Sequence, residues 1–347
     1  MTIRPGEEPP LVQFERVDPD DERAYGSWFS VLSRSELFRN RGGEEGWRVE
    51  EWRTRARDTG AATYSQLFRL TTAGDAVVAG ALEVTRDDNL EWIRGELFVD
   101  PAERRRGFGS LFLSHLEDTA RALGRRSLLF WVVEAHHEVG HGPSRHFAPR
   151  HGYDNVEESV RRDIAWPRPV RASSSLHQHA SADASSYRVV AWRAPTDEAR
   201  LGERAQLFSV MPLEVPDAGF GYEAERWDPE RVAGHERRAD AMGRDLFVAQ
   251  AYHEGSGEVV GFSELTVSRE RPAVAYQWDT LVTRPHRGHG LGALMKLANM
   301  DQLDASRYPT KTIVTYNAAN NAAMIAVNDA LGARVNGGIV TWRKVLN

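Results

Sequence analysis

The chain contains no cysteine. That removes disulfides, thiolate-bound metals and an acyl-cysteine intermediate, so any transferred group must move directly or through another residue. Long apolar runs are missing as well, since no stretch approaches the roughly 18 residues needed to cross a bilayer. The start, Met1-Thr2-Ile3-Arg4-Pro5-Gly6-Glu7-Glu8, has no apolar core behind a basic segment. A cytoplasmic protein with no membrane partner is the expectation. An excess of positive charge is also lacking. The net charge is −6, whereas nucleic-acid binders present a basic surface to phosphates, so no nucleic-acid partner is expected. Local basic clusters then need a local reason.

What is present is an ordinary globular composition, 41% hydrophobic and 27% charged over 347 residues, long enough for two domains of roughly 150 to 200 residues. The clearest break begins at Pro167-Arg168-Pro169 and continues through a polar stretch with Ser173-Ser174-Ser175, His177, His179 and Ser185-Ser186. It is too polar to pack and reads as an exposed linker. No metal is expected at His177 and His179. The division is 1–166, linker 167–186, and 187–347.

The same order of elements recurs on either side of the linker. In the first half, a strand Val12 to Val17 precedes helices over Pro19 to Ser33 and Glu45 to Asp58. Alternating apolar runs around Tyr64 to Leu70, Ala76 to Val84 and Leu90 to Val99 predict successive strands. A glycine-rich turn then leads into a helix, Gly109 to Leu123, and a strand, Ser127 to Val133. The second half repeats this with strand Tyr187 to Trp192 and helices Glu198 to Val210 and Pro229 to Met242. Strands Leu246 to Tyr252, Val259 to Val267 and Val274 to Val282 follow, then a glycine turn, helix Leu291 to Asp304, strand Thr312 to Tyr316 and helix Asn320 to Leu331. Arg104 and Arg287 hold corresponding places, a period of about 183 residues, which marks a duplicated domain and not a solenoid.

Each half carries R-x-x-G-x-G between a strand and a helix: Arg104-Arg105-Arg106-Gly107-Phe108-Gly109, followed by Ser110, and Arg287-Gly288-His289-Gly290-Leu291-Gly292. Glycines let the backbone approach a ligand closely, and free amides at the start of a helix point their dipoles at an anion. Such a turn can cradle a diphosphate. A Rossmann reading is disfavoured because that fingerprint follows the first strand of an alternating unit, whereas here the turn follows the fourth strand of a meander. The absence of Gly-Lys-Ser or Gly-Lys-Thr excludes the P-loop.

On these two motifs the chain resembles the GNAT N-acetyltransferase superfamily, in particular its tandem, two-domain actinobacterial members, over nearly its full length. The segment Asn317-Ala318-Ala319-Asn320-Asn321 through Leu331-Gly332-Ala333 reinforces the resemblance, with Ala333 standing where the family has an aromatic residue. The resemblance implies an α/β (α+β) protein of two tandem folds, each a mixed, mostly antiparallel sheet flanked by helices. It also implies acetyl-CoA as cofactor. Leu281 and Val282 would then meet pantetheine, Arg287 to Gly292 the diphosphate, and Asn321 the far side of the cofactor arm; Phe98, Val99 and Arg104 to Ser110 are the first-half counterparts.

Acetyl transfer from a thioester to an amine needs a neutral amine, a donor for the developing oxyanion and a tolerated thiolate. The family often places a tyrosine acid four residues before the final glycine; here that position is Asn328, whose amide could bond the sulfur, with Tyr316 a second candidate. Asp279, late in the fourth strand, is the first candidate base, and Glu264 on the preceding strand the second. A base is dispensable if water relays the proton, and Asp279 also fits a purely structural role. In the first half, the corresponding asparagine and tyrosine positions are His141 and Ala148, so both expected groups are missing. Glu96, its one obvious base candidate, reads as a solvated face residue. His136, His137, Glu138, His141 and His146 sit among glycines and Pro143, which points to an irregular loop lining an acceptor cleft and not to a metal site. Phe208, Met211, Phe220, Tyr222 and Trp227 read mainly as helix faces packed on the sheet.

The leading expectation is an acetyl-CoA-dependent N-acetyltransferase acting on a small-molecule primary amine, with the chemistry in the second half. A non-catalytic acyl-CoA sensor and a protein N-acetyltransferase are the alternatives. Oligomeric state and acceptor identity are open at this level.

Overall fold

A computed structural model describes residues 12–41, 46–167, 184–214 and 224–347. The chain divides into two compact units. The first comprises residues 1–157 with 340–347, and the second residues 158–339. This differs from the expected boundaries, because the composition break near Pro167 does not coincide with the change of unit. Residues 158–165, expected in the first domain, pair inside the second unit. The last eight residues, expected in the second domain, belong to the first. Most of the expected linker, with His177 and His179, lies outside the described residues.

The first unit runs β1 (Val12–Val17), α1 (Glu22–Arg39), α2 (Val49–Arg57), β2 (Thr63–Thr72), β3 (Asp75–Thr85), β4 (Trp92–Val99), α3 (Phe108–Ala122), β5 (Ser127–Ala135) and α4 (Ser144–Arg150). A strand β6 (Asp154–Ala165) leads into the second unit, which continues with β7 (Tyr187–Arg193), α5 (Glu198–Glu214), α6 (Pro229–Ala241), β8 (Arg244–His253), β9 (Val259–Ser268) and β10 (Val274–Val282). Then come α7 (Leu291–Met300), β11 (Thr312–Ala318), α8 (Ala322–Ala330) and β12 (Arg334–Val345), which from Val340 onward belongs to the first unit.

In the first unit β1 to β4 form an antiparallel meander, and β5 joins β4 in parallel. In the second, β7 to β10 repeat the meander, β11 joins β10 in parallel, and β6 lies antiparallel to β11 with β12 as its other neighbour. β6, α4 and β12 were not foreseen. β6 reads Asp-Asn-Val-Glu-Glu-Ser-Val-Arg-Arg-Asp-Ile-Ala, whose charges hide any alternation, and β12 is interrupted by Gly337-Gly338.

Side-chain periodicity explains the packing. Along α3, Phe108, Phe112, Leu116 and Ala120 recur every four residues, and all are buried against β3, β4 and β5 with Val340 and Trp342. Each such large side chain contributes about 1.5–3 kcal/mol. On the opposite face Tyr25, Trp28, Val31 and Leu32 of α1 pack with Leu67 and Ala79. Asp21 and Asp228 accept amide bonds at the starts of α1 and α6, which fixes where these helices begin. No helix among the described residues is long and apolar enough to cross a membrane.

Candidate functional site

The two glycine turns share a backbone conformation. In the second unit Gly288 and Gly290 have φ of +85° and +68°, and in the first Arg105 and Gly107 have +66° and +88°. Left-handed residues alternating with ordinary ones turn successive amides toward one point, an anion-binding nest. Ala293 and Leu294 donate to the Gly290 carbonyl, but the amides of Gly288, Gly290, Leu291 and Gly292 have no backbone partner among the described residues. The first unit repeats this: Ser110 and Leu111 donate to Gly107, leaving the amides of Arg105, Arg106, Gly107, Phe108 and Gly109 without one. Unspent donors heading a helix are the chemistry that a diphosphate requires, so the residues present fit coenzyme A.

The arginines serve the turn itself. Arg287 Nε donates to the Val282 carbonyl at 2.9 Å and its Nη2 to Glu214, while Arg104 Nε reaches the Val99 carbonyl at 3.3 Å. Both therefore tie the nest to the end of the preceding strand. Arg106 pairs with Glu103, and the His289 ring lies 5.2 Å from that of Tyr187. Asn321, expected beside the cofactor arm, caps α8 by accepting from the Met324 amide at 3.1 Å.

Next to each nest the sheet opens. β10 pairs with β11 only from Val274 to Tyr276, and β4 with β5 only from Trp92 to Gly95. Beyond those points the parallel partners separate, leaving Leu281, Val282, Phe98 and Val99 at the strand ends. Leu281 packs toward α5 and α6 and Val282 toward α7; Phe98 and Val99 divide in the same way between the two faces of the first unit.

A β-bulge distinguishes the units. Thr280 faces Ser263 and Gln277 faces Leu265, so Trp278 and Asp279 together oppose Glu264. An extra residue re-aims a side chain, and here it brings Asp279 to the α5/α6 face beside Glu264 and His235. β4 has no such irregularity: Glu96, at the position of Asp279, simply faces Ala81. Glu96 is half-buried, not solvated as expected; burial raises its pKa against the opposing charges of Arg94, Arg55 and Arg39.

Glu264 is fully buried and fully engaged. One oxygen pairs with Arg204, which also pairs with Glu236, and the other lies 3.1 Å from His235 Nε2. Burial pushes its carboxyl up, but the charges of His235 and Arg204 outweigh this and hold it below the ordinary range. Asp279 behaves oppositely. Solvent reaches its side chain, yet it is ringed by protein, and this partial desolvation together with Glu264 pushes it up to about 6 despite His235. Phe208, Trp227 and Trp278 surround His235 at ring distances of 5.6, 6.1 and 5.7 Å. Phe220 and Tyr222 lie outside the described residues.

The two acid candidates lie on opposite faces of β11. Asn317 turns to the α7/α8 face, where Asn328 Nδ2 donates to its Oδ1 at 3.0 Å. Tyr316, one residue earlier, points the other way. Behind Asn328 stands Lys296 of α7, its Nζ 2.7 Å from Asn328 Oδ1. His235, Arg204 and Lys296 escaped the sequence reading, although each left a signal. His235 interrupts the buried stripe of Val232, Glu236 and Ala239, and Lys296 is the one charged residue of Leu-Gly-Ala-Leu-Met-Lys-Leu-Ala-Asn-Met. In the first unit Glu134 binds Arg145 and the Gly140 amide, anchoring the histidine-bearing segment. Among the described residues no three potential ligands gather for a metal ion.

The model of the acetyltransferase (GNAT) family matches residues 32–153 and 209–332. A mycothiol acetyltransferase of Amycolatopsis mediterranei (strain U-32) is 29% identical over 257 residues, covering 68% of this chain and 70% of that protein. Another, of Mycolicibacterium paratuberculosis (strain ATCC BAA-968 / K-10), is 27% identical over 277 residues, covering 75% and 76%. Among solved structures, a tandem GNAT protein from the clavulanic acid biosynthesis pathway superposes with a TM-score of 0.74 at 24% identity, over 97% of this chain and 99% of the other. A GCN5-related N-acetyltransferase from Sphaerobacter thermophilus gives 0.64 at 15%, over 97% and 96%.

Proposed function

Because the chain belongs to the acetyltransferase (GNAT) family and is an N-acetyltransferase, we propose that its second unit transfers the acetyl group of acetyl-CoA directly to a primary amine of a small molecule. The observation that carries this reading is the bulge at Trp278 and Asp279, present in β10 and missing from β4, which sets a solvent-reached carboxylate beside Glu264 and His235 on the strand that leads to the nest. Relatives named for mycothiol acetylation support a small-molecule acceptor.

When bound, acetyl-CoA supplies an acetyl group activated as a thioester. The nest amides of Gly288 to Gly292 hold the diphosphate, and the free edge at Leu281 and Val282 takes the pantetheine arm. Asp279, ionised above about pH 6, accepts the proton that an ammonium acceptor must lose. Glu264 is committed to Arg204 and His235 and orients the imidazole instead of taking that proton. Asn328 offers its amide to the sulfur, and Tyr316 faces the acceptor side.

In the first unit the nest is retained, but Ala148 stands in place of Asn328 and the bulge is missing. We read it as a carrier-binding half without turnover. Incubation with acetyl-CoA and a panel of amines, following free thiol, tests the proposal. Acceptor-dependent release is expected; tight binding without release for any acceptor favours the sensor reading.

A further inference from the structure

Lys296 is fully buried, 1% exposed, and faces no carboxylate among the described residues. Its hydrogen-bond partner among the described residues is Asn328 Oδ1. An ammonium carries three donors, of which one meets Asn328, and a buried cation is costly unless it is paired or hydrogen-bonded. The hydrogen bonds run one way from it: Lys296 to Asn328, Asn328 Nδ2 to Asn317 Oδ1, and Asn317 Nδ2 to the Ala318 carbonyl at 3.0 Å. A charged Lys296 only donates, and Asn328 turns its oxygen toward it and its amide hydrogens toward Asn317 of β11.

The position of this chain of bonds is informative. Gly292, one helical turn before Lys296, faces Thr280 of β10 and Val327 of α8. Asn317 lies beyond the last pair joining β10 to β11. Lys296 thus sits under the opening between these strands, one turn inward from the nest. The first unit offers an internal comparison. Counting from the corresponding glycines, its residues at these two places are Leu113 and Ala148, both buried and both in the apolar core. The polar pair is not needed to pack this fold.

Building on the transfer reading above, we propose that Lys296 is a positioning residue that fixes the Asn328 amide and supplies the positive charge favouring a thiolate in the β10/β11 opening. Burial pulls the ammonium down to about 7. An anionic sulfur nearby draws it back to the charged form.

The test uses the whole protein and coenzyme A carrying its free thiol. Thiolate absorbance near the ultraviolet edge, followed against pH, reads the ionisation of bound thiol without turnover. The wild type is expected to shift thiol ionisation down by about one pH unit or more relative to free coenzyme A. Lys296→Met should remove that shift and lower kcat by about 10- to 1000-fold, with KM for acetyl-CoA changed less than about threefold, and Lys296→Arg should restore part of the shift. The double variant Lys296→Leu with Asn328→Ala recreates the apolar pair of the first unit and so packs if the single variant does not. A double variant that folds, binds coenzyme A and still ionises it as the wild type does overturns the proposal. If no amine elicits thiol release from the wild type while the shift is present, the transfer reading fails and the role of Lys296 stands.

Discussion

Replacing Asp279 by asparagine keeps the shape of the side chain and removes the carboxylate at the bulge. Asp279 must be ionised to accept a proton, so kcat/KM of the wild type should fall about tenfold per pH unit below about pH 6. Asp279→Asn should abolish that limb and reduce kcat/KM at pH 8 by about 10²- to 10⁴-fold. The same carboxylate has a thermodynamic signature. Its folded pKa is raised from 3.8 to about 6, so between these values the folded protein binds more protons than the unfolded chain. Stability from this group is therefore highest below pH 3.8 and declines as pH rises through about 6. The full difference amounts to about 3 kcal/mol, and screening by the solvent that reaches the side chain brings it to about 1 kcal/mol. Asp279→Asn should accordingly be more stable than the wild type by about 1 kcal/mol at pH 7.5, with the gain vanishing toward pH 4. Initial rates of thiol release from pH 5 to 9 and urea unfolding at both pH values measure the two effects. An unchanged acid limb, or a variant less stable at pH 7.5, refutes the reasoning.

Arg204→Met removes the guanidinium that bridges buried Glu236 and Glu264 and should destabilise the second unit by about 3–5 kcal/mol; chemical unfolding followed by tryptophan fluorescence checks it, and a loss under 1 kcal/mol contradicts it. Arg105→Gly relieves a left-handed backbone at φ +66° and should leave stability unchanged or raised by up to about 1 kcal/mol, measured as the shift in thermal midpoint.

Periodicity made the helices and meander strands legible, because a buried face writes its repeat into the sequence. β1 and β10 match their expected bounds residue for residue, and both glycine turns appear where the spacing put them. Pairing partners are not written locally. Residues 158–165 look like a polar tail of the first half, and their place beside β11 follows from a strand edge that only the assembled sheet exposes. The bulge was equally silent, since Gln277-Trp278-Asp279-Thr280 contains no glycine and its irregularity shows only against the register of β9. Glu264 passed for a free base because sequence does not reveal that Arg204 and His235, from two separate helices, close on it. Asn321, to which the resemblance gives a cofactor role, also caps α8 through its Oδ1, a use the sequence does not announce.

Calorimetric titration of coenzyme A into the wild type, Gly290→Glu and the double variant with Gly107→Glu bears most directly on the idea that helix-heading amide nests hold the carrier. The wild type should take up coenzyme A, Gly290→Glu should lose the site of the second unit, and the double variant should take up none. No uptake by the wild type, or as many equivalents bound by Gly290→Glu as by the wild type, would contradict it.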